Sequence, residues 1–193
     1  NNANESVKMA NMDKCKKLLM DGLAKYPNND NIIEGLINVY TAGAGDPKEL
    51  IEVVDGALKR DPKNKGLWYG RGRIFYSLKD YDQSIESFKK VVELDPKDAQ
   101  SLYYVGYFYV LKADCLNNEF NQRDYKSNDE FKADQAKITA VYMEAIPFLE
   151  KAHELNPKDV RTLEVLKSLT LRLREENGIQ AKFDKYNKLF NEA

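Results

Sequence analysis

Few residues in this chain are suited to chemistry. His153 is the single histidine, and an imidazole can act as a general base or a metal ligand near neutral pH. A zinc site of the hydrolase kind needs a second histidine four residues away with a glutamate between, or cysteines at close spacing. The neighbours of His153, Lys151-Ala152 and Glu154-Leu155, supply neither, so it reads as a surface histidine. Cys15 and Cys115 are far apart and form no CxxC pair; they read as two small apolar core residues. Gly70-Arg71-Gly72-Arg73 has glycines and cations together but no preceding strand, and no GxxxxGK[ST] loop occurs. No serine or cysteine stands in a nucleophile motif, and acidic residues on helices are solvated by default. Without a convergent acid, base and nucleophile the chain is expected to be non-enzymatic, with no cofactor and no metal.

What remains is recognition chemistry. The stretch LYYVGYFYV, residues 102–110, holds five aromatic rings in nine positions. Alone it fits a buried strand, a membrane contact, a ligand platform or a helix core. Composition narrows the list. The chain has 193 residues, 42% hydrophobic and 32% charged, which reads as a soluble protein with a core. Thirty basic residues against 31 acidic ones leave a net charge of −1, which gives no electrostatic case for nucleic acid. No apolar run approaches the roughly 18–20 residues of a membrane span, so direct membrane insertion is not expected. The chain opens at Asn1 without a methionine, which reads as a processed or excised chain; NNANES itself holds no signal peptide.

The elements that must position these residues emerge from an internal period. Pro62 and Pro96 close RDP and LDP tripeptides 34 residues apart. Counted over residues 65–98, Trp68, Gly72, Phe75, Tyr81, Ser84, Phe88, Val91 and Pro96 fall at places 4, 8, 11, 17, 20, 24, 27 and 32. Places 4, 8 and 11 share one face of a first helix, and 20, 24 and 27 one face of a second. A small residue at place 8 lets the helices approach closely, and proline at 32 ends the pair. Asp80 caps the second helix. This pattern closely resembles the tetratricopeptide repeat, a helix–turn–helix unit of 34 residues. The departures are Arg71 at place 7, Ser84 at 20 and Val91 at 27. The resemblance implies an all-α fold, a right-handed superhelical solenoid of antiparallel helix pairs, with the first helices lining its concave face. Trp68 is then expected to be a large buried aromatic of the helix-pair core.

One array accounts for residues 1–193. Residues 1–30 hold a partial repeat, whose second helix MDKCKKLLMDGLAKYP puts Cys15, Leu19, Gly22 and Pro27 at places 20, 24, 27 and 32. Its first helix would lie upstream, so the array is expected to continue there. Residues 31–64 and 65–98 are repeats, the former with Asp46 as N-cap and Pro47 at the first helical position. Residues 99–159 form a repeat with an insert at about 114–140: Pro96 and Pro157 stand 61 residues apart, 27 more than one period. A helix capped near Ser127 or Asn128 is expected in the insert, and Pro147 should kink it or open a new one. Residues 160–193 form a terminal repeat with Asn177-Gly178 as its turn. The insert resembles those of some bacterial tetratricopeptide proteins of the cell envelope, which implies a periplasmic or envelope location, the cytoplasm being the alternative.

In this family places 2, 5, 9, 12 and 13 of the first helices face the groove. By that resemblance Tyr69, Arg73 and Tyr76, then Tyr103 and Tyr107, then Arg161 and Arg172 form a peptide-binding surface. Tyrosine and arginine dominate interface hot spots. The resemblance implies a protein or peptide partner, held extended or helical. Self-association within an envelope assembly is the alternative reading. The insert could instead fold over Tyr103 and Tyr107 and make them core. The clamp for a C-terminal carboxylate seen in chaperone-binding members wants lysine at place 5 and asparagine at 9. Here those places hold Gly35 and Val39, Tyr69 and Arg73, and Tyr103 and Tyr107, so that ligand is not expected.

Overall fold

The structure is a computed structural model. It describes the backbone of residues 2–26, 29–43 and 45–192, and their side chains except those of residues 2–5, 30 and 41. Pro27 lies outside the described residues. The described residues form nine helices and no strand, in two compact units, Asn1–Asp95 and Pro96–Ala193.

The first unit holds α1 (Asn2–Lys25), α2 (Asp30–Thr41), α3 (Pro47–Arg60), α4 (Lys65–Ser77) and α5 (Tyr81–Leu94). Each start from α2 onward is set by a short polar side chain that accepts from an otherwise unpaired helix N–H. Asn29 accepts from Asn31 and Ile32, Asp46 from Lys48 at 2.9 Å, Asn64 from Leu67 at 3.0 Å and Asp80 from Gln83 at 3.1 Å. Between α4 and α5 the chain reverses through Lys79, held at φ 60°, while the Asp80 N–H reaches back to the Phe75 carbonyl at 2.9 Å. Leu36, Leu50, Val54 and Leu67 form a core that Ile33 and Ile74 complete. Phe88 is fully buried, and a Cβ on Gly72 would stand 2.5 Å from its ring. The glycine at place 8 is thus what lets α4 and α5 close.

Arg71, which stands where the repeat usually has leucine, is the polar centre of this unit. Its guanidinium donates to Asp55 of α3 at 2.9 Å, and to Ser87 and Gln83 of α5 at 2.7 Å each. It also lies 4.7 Å over the Phe75 ring. One side chain thereby joins three helices, with its charge paired and its stem packed.

Three expectations for this unit need correction. Trp68 is only partly buried: it lies against the core edge, and its indole N–H donates to the Pro62 carbonyl at 2.9 Å. It therefore ties the helix to the preceding turn more than it fills the interior. Cys15 is exposed, because no preceding first helix covers its face of α1 among the described residues. And α1 begins at Asn2, some ten residues before the expected helix, since no proline or glycine interrupts residues 2–21.

The second unit holds α6 (Ala99–Gln122), α7 (Asn128–Leu155), α8 (Val160–Arg172) and α9 (Ile179–Glu192). Asp98, Ser127 and Asp159 cap the first three. The residues beyond one period lengthen a hairpin. α6 has 24 residues where α4 has 13, and α7 has 28 where α5 has 14. The first excess is about three turns and the second about four, at 3.6 residues per turn. Whole turns leave the packing faces unrotated, so the base of the hairpin closes like that of a repeat without an insert. Gly106 faces Leu149 and Ala145 there, and Leu102, Val105 and Phe108 are buried. The added tip has its own cluster, in which Phe120, Tyr125 and Phe131 meet with ring centroids 4.8–5.4 Å apart.

No new helix opens at Pro147; α7 runs through it. Proline cannot bond the Met143 carbonyl, but both residues lie on the exposed side of α7, where water can reach it. Cys115 is exposed too, on the outward side of the lengthened α6. His153 is not the freely exposed surface histidine expected but a partly buried one. Its ring meets Tyr186 of α9 edge-on at 6.2 Å, and its Nδ1 is buried without a hydrogen-bond partner. This side of α7 faces Tyr186 of α9, which leaves His153 partly buried. Burial pushes the imidazole below its ordinary value, with Lys185 adding to the effect and Glu154 opposing it.

Candidate functional site

The second unit carries a groove of about 400 Å³ between α6 and α8, with Tyr142 of α7 lining it. One wall is a stripe of α6, Tyr103, Tyr107, Val110 and Asp114, at i, i+4, i+7 and i+11. The other comes from α8 and includes Arg161, Glu164, Ser168 and Arg172. A one-face stripe on each helix follows from the 3.6-residue turn. Because α6 and α8 are both first-type helices, the two stripes look into the same space.

The aromatic end is ordered by stacking. The Tyr103 and Tyr107 rings lie nearly parallel, 8° apart with centroids at 5.6 Å, and Tyr104 is tilted 5.7 Å from Tyr103. Tyr109 turns away and stacks on Phe148 of α7 at 6.1 Å. Arg161 lies 5.5 Å over the Tyr103 ring, a cation–π distance. Its guanidinium is held two-handed by Asp159, Nε to Oδ1 at 2.9 Å and Nη2 to Oδ2 at 3.3 Å. Burial pushes the Tyr103 phenol up to about 12, reinforced by Tyr107 and opposed by Arg161. It remains a protonated hydrogen-bond donor at any physiological pH.

The other end is closed by a polar cluster. Asp114 accepts from the Tyr142 hydroxyl at 2.6 Å and from Arg172 Nη1 at 2.7 Å. Arg172 also donates to the Tyr142 hydroxyl oxygen and lies 4.8 Å over its ring. Burial first, then the bond to Asp114, raises the Tyr142 phenol far above its ordinary value. The arrangement offers phenol and guanidinium donors at both ends and apolar Val110, Val165 and Leu169 between. It can bind, but it aligns no base with a nucleophile.

Of the residues singled out in the sequence, the structure brings Tyr103, Tyr107, Arg161 and Arg172 together. Tyr69, Arg73 and Tyr76 lie on α4 in the first unit. Tyr69 meets the Phe88 ring edge-on at 5.2 Å and is half-buried. Arg73 pairs with Glu34 of α2 at 3.6 Å, and Tyr76 is exposed, tilted 6.5 Å from Tyr81. The insert does not bury Tyr103 and Tyr107; they line an open groove. Asp114 and Tyr142 were missed because they fall in or beside the insert, off the 34-residue count. Asp114 was nonetheless signalled by its place seven residues after Tyr107 on one continuous helix. Among the described residues no group of three metal-ligating side chains occurs, and no helix is long and apolar enough to cross a membrane.

Repeated helix hairpins with capped starts, small place-8 glycines and a groove walled by first-type helices define a helical-repeat protein. Comparison with known proteins points the same way. The tetratricopeptide repeat profile matches residues 67–98. The interferon-induced protein with tetratricopeptide repeats 2 of Mus musculus is 27% identical over 107 residues, 55% of this chain and 21% of that protein. The chain thus spans about a fifth of that relative's length. A crystal structure of MamA superposes with a TM-score of 0.61 at 16% identity, covering 100% of this chain and 94% of the other. A MamA fragment from Desulfovibrio magneticus RS-1 gives 0.55 at 18% identity, covering 100% and 93%. These findings support a tetratricopeptide repeat protein, with the repeat itself matched at residues 67–98. Members of that family are generally non-catalytic scaffolds for protein–protein interaction.

Proposed function

We propose that this chain is a non-enzymatic scaffold whose α6–α8 groove holds a peptide segment of a protein partner. The observation that carries the reading is the stacked Tyr103–Tyr107 pair with Arg161 over it, in an open groove of about 400 Å³. Rigid aromatic rings offer large contact area at little entropic cost, and held guanidiniums offer preorganised donors. Asp114, Tyr142 and Arg172 close the far end and limit the length of what is bound. Tyr69, Arg73 and Tyr76 form a further contact strip on α4 of the first unit, with exposed Tyr76 as its anchor.

The test is selection of binding peptides from a displayed random library, followed by affinity measurements on groove variants. Tyr103→Ala and Tyr107→Ala should each weaken the selected peptides by roughly 30-fold, the scale of a hot-spot aromatic. Circular dichroism must show each variant folded. Selected peptides that bind the folded double variant as well as the wild type would remove the groove from the mechanism.

A further inference from the structure

We infer that the α6–α8 groove selects a cationic peptide, one with a lysine or arginine between aliphatic residues; this rests on the groove reading above. The charge balance of the lining carries the inference. Each groove arginine is already neutralised by a carboxylate of its own unit, Arg161 by Asp159 and Arg172 by Asp114. Glu164 stands mid-groove on α8, exposed, with no cationic partner within 4 Å among the described residues. The net charge left for a ligand is therefore negative. An anionic ligand would meet arginines whose charge Asp159 or Asp114 already offsets, so their remaining N–H groups offer it hydrogen bonds but little net attraction. A cation meets Glu164 with nothing to displace.

The neighbours of Glu164 suit the same ligand. The Tyr107 ring is electron-rich, which attracts ammonium and guanidinium groups, and the Ser168 hydroxyl one turn along from Glu164 is a further acceptor. Val110, Val165 and Leu169 supply apolar surface for flanking aliphatic side chains. From Tyr103 to Asp114 the α6 wall runs about 16 Å at 1.5 Å per residue. That is the length of about five extended residues.

The experiment uses three pools of N-acetylated, C-amidated pentapeptides. Lysine, norleucine or glutamate is fixed at the centre, and alanine, valine and leucine are mixed at the other positions. Each pool is titrated into isotope-labelled protein, and the amide shifts of α6 and α8 are followed. The lysine pool should bind about tenfold tighter than the norleucine pool, as one charge-assisted contact supplies, with the glutamate pool weakest. Glu164→Gln, an exposed isosteric change, should erase the lysine preference and leave norleucine binding in place. Equal binding of all three pools, a preference for glutamate, or a lysine preference that survives Glu164→Gln would overturn the cationic selection while leaving the groove as a peptide site. Absence of any shift on α6 and α8 with every pool would overturn both.

Discussion

Gly106→Ala tests the closeness of the α6–α7 hairpin most directly. A Cβ built on Gly106 would lie 2.5 Å from Leu149 Cγ, 2.9 Å from its Cδ2 and 3.0 Å from the Ala145 carbonyl oxygen. Leu149 is fully enclosed, its Cγ is a branch point and not a free chain end, and the carbonyl belongs to the helix backbone. One of the two helices must therefore shift. Overpacking of this kind costs about 1–3 kcal/mol. Alanine returns up to about 1 kcal/mol over glycine inside a helix. The net expectation is a loss of about 1–2 kcal/mol, read as a lower urea midpoint by circular dichroism at unchanged slope. Gly56→Ala is the internal control, because Gly56 lies inside α3 and its added Cβ would meet nothing within 4 Å. That variant should gain about 0.5–1 kcal/mol from backbone entropy alone. A Gly106→Ala midpoint at or above wild type would refute the close-approach reasoning.

Arg71→Ala should cost about 2–4 kcal/mol, since it removes bonds to three partners and leaves a void at a nearly buried site. Arg71→Leu, the residue usual at this place of the repeat, should recover most of that loss, because Asp55 is open enough to be hydrated. Equal destabilisation by both, measured by urea unfolding, would contradict this. Lys79→Gly should raise stability by about 0.5–1 kcal/mol by relieving a left-handed backbone, and a thermal melt reads it. His153 gives a pH dependence. Its folded value is depressed, so between that value and about 6.5 the unfolded chain binds more protons, and stability falls as pH drops through this window. His153→Gln should flatten the urea midpoint between pH 7.5 and about 5.5, where most carboxylates stay ionised.

What was legible in the sequence was what local geometry decides. Asp46, Asp80 and Ser127 cap helices through contacts spanning two or three residues, so their neighbours alone identify them. Gly72 and Gly106 were legible because the period put a small residue where two helices must touch. Burial was less legible, because it depends on which element arrives from elsewhere. Trp68 occupies the usual place of a core aromatic, yet its ring ends up at the core edge, bonded to Pro62. Cys15 has the right spacing for a core residue but is exposed, with no helix over it among the described residues. The Arg71 hub joins partners 12 to 16 residues away on α3 and α5, and only helix packing brings them within reach. In the groove, the stripe along one helix was readable, but the closure of its far end was not. Tyr142 lies 28 residues from Asp114 and 30 from Arg172.

That closure is where the insert meets the site. Lengthening two arms of a hairpin by near-whole turns keeps every face aligned, so the added residues disturb nothing at the base. They do extend the wall. Had α6 ended after 13 residues, as α4 does, its last residue would be Leu111, and the helix would not reach Asp114. Arg172 would then face the groove with its charge unpaired, and the balance at that end would favour an anion. With the extension in place, Asp114 neutralises Arg172, Tyr142 lines the space beside them, and the charge left uncompensated is that of Glu164 in the middle. On the proposed reading the inserted turns thus tip the groove's charge balance from neutral to negative, although they leave the tyrosine pair untouched.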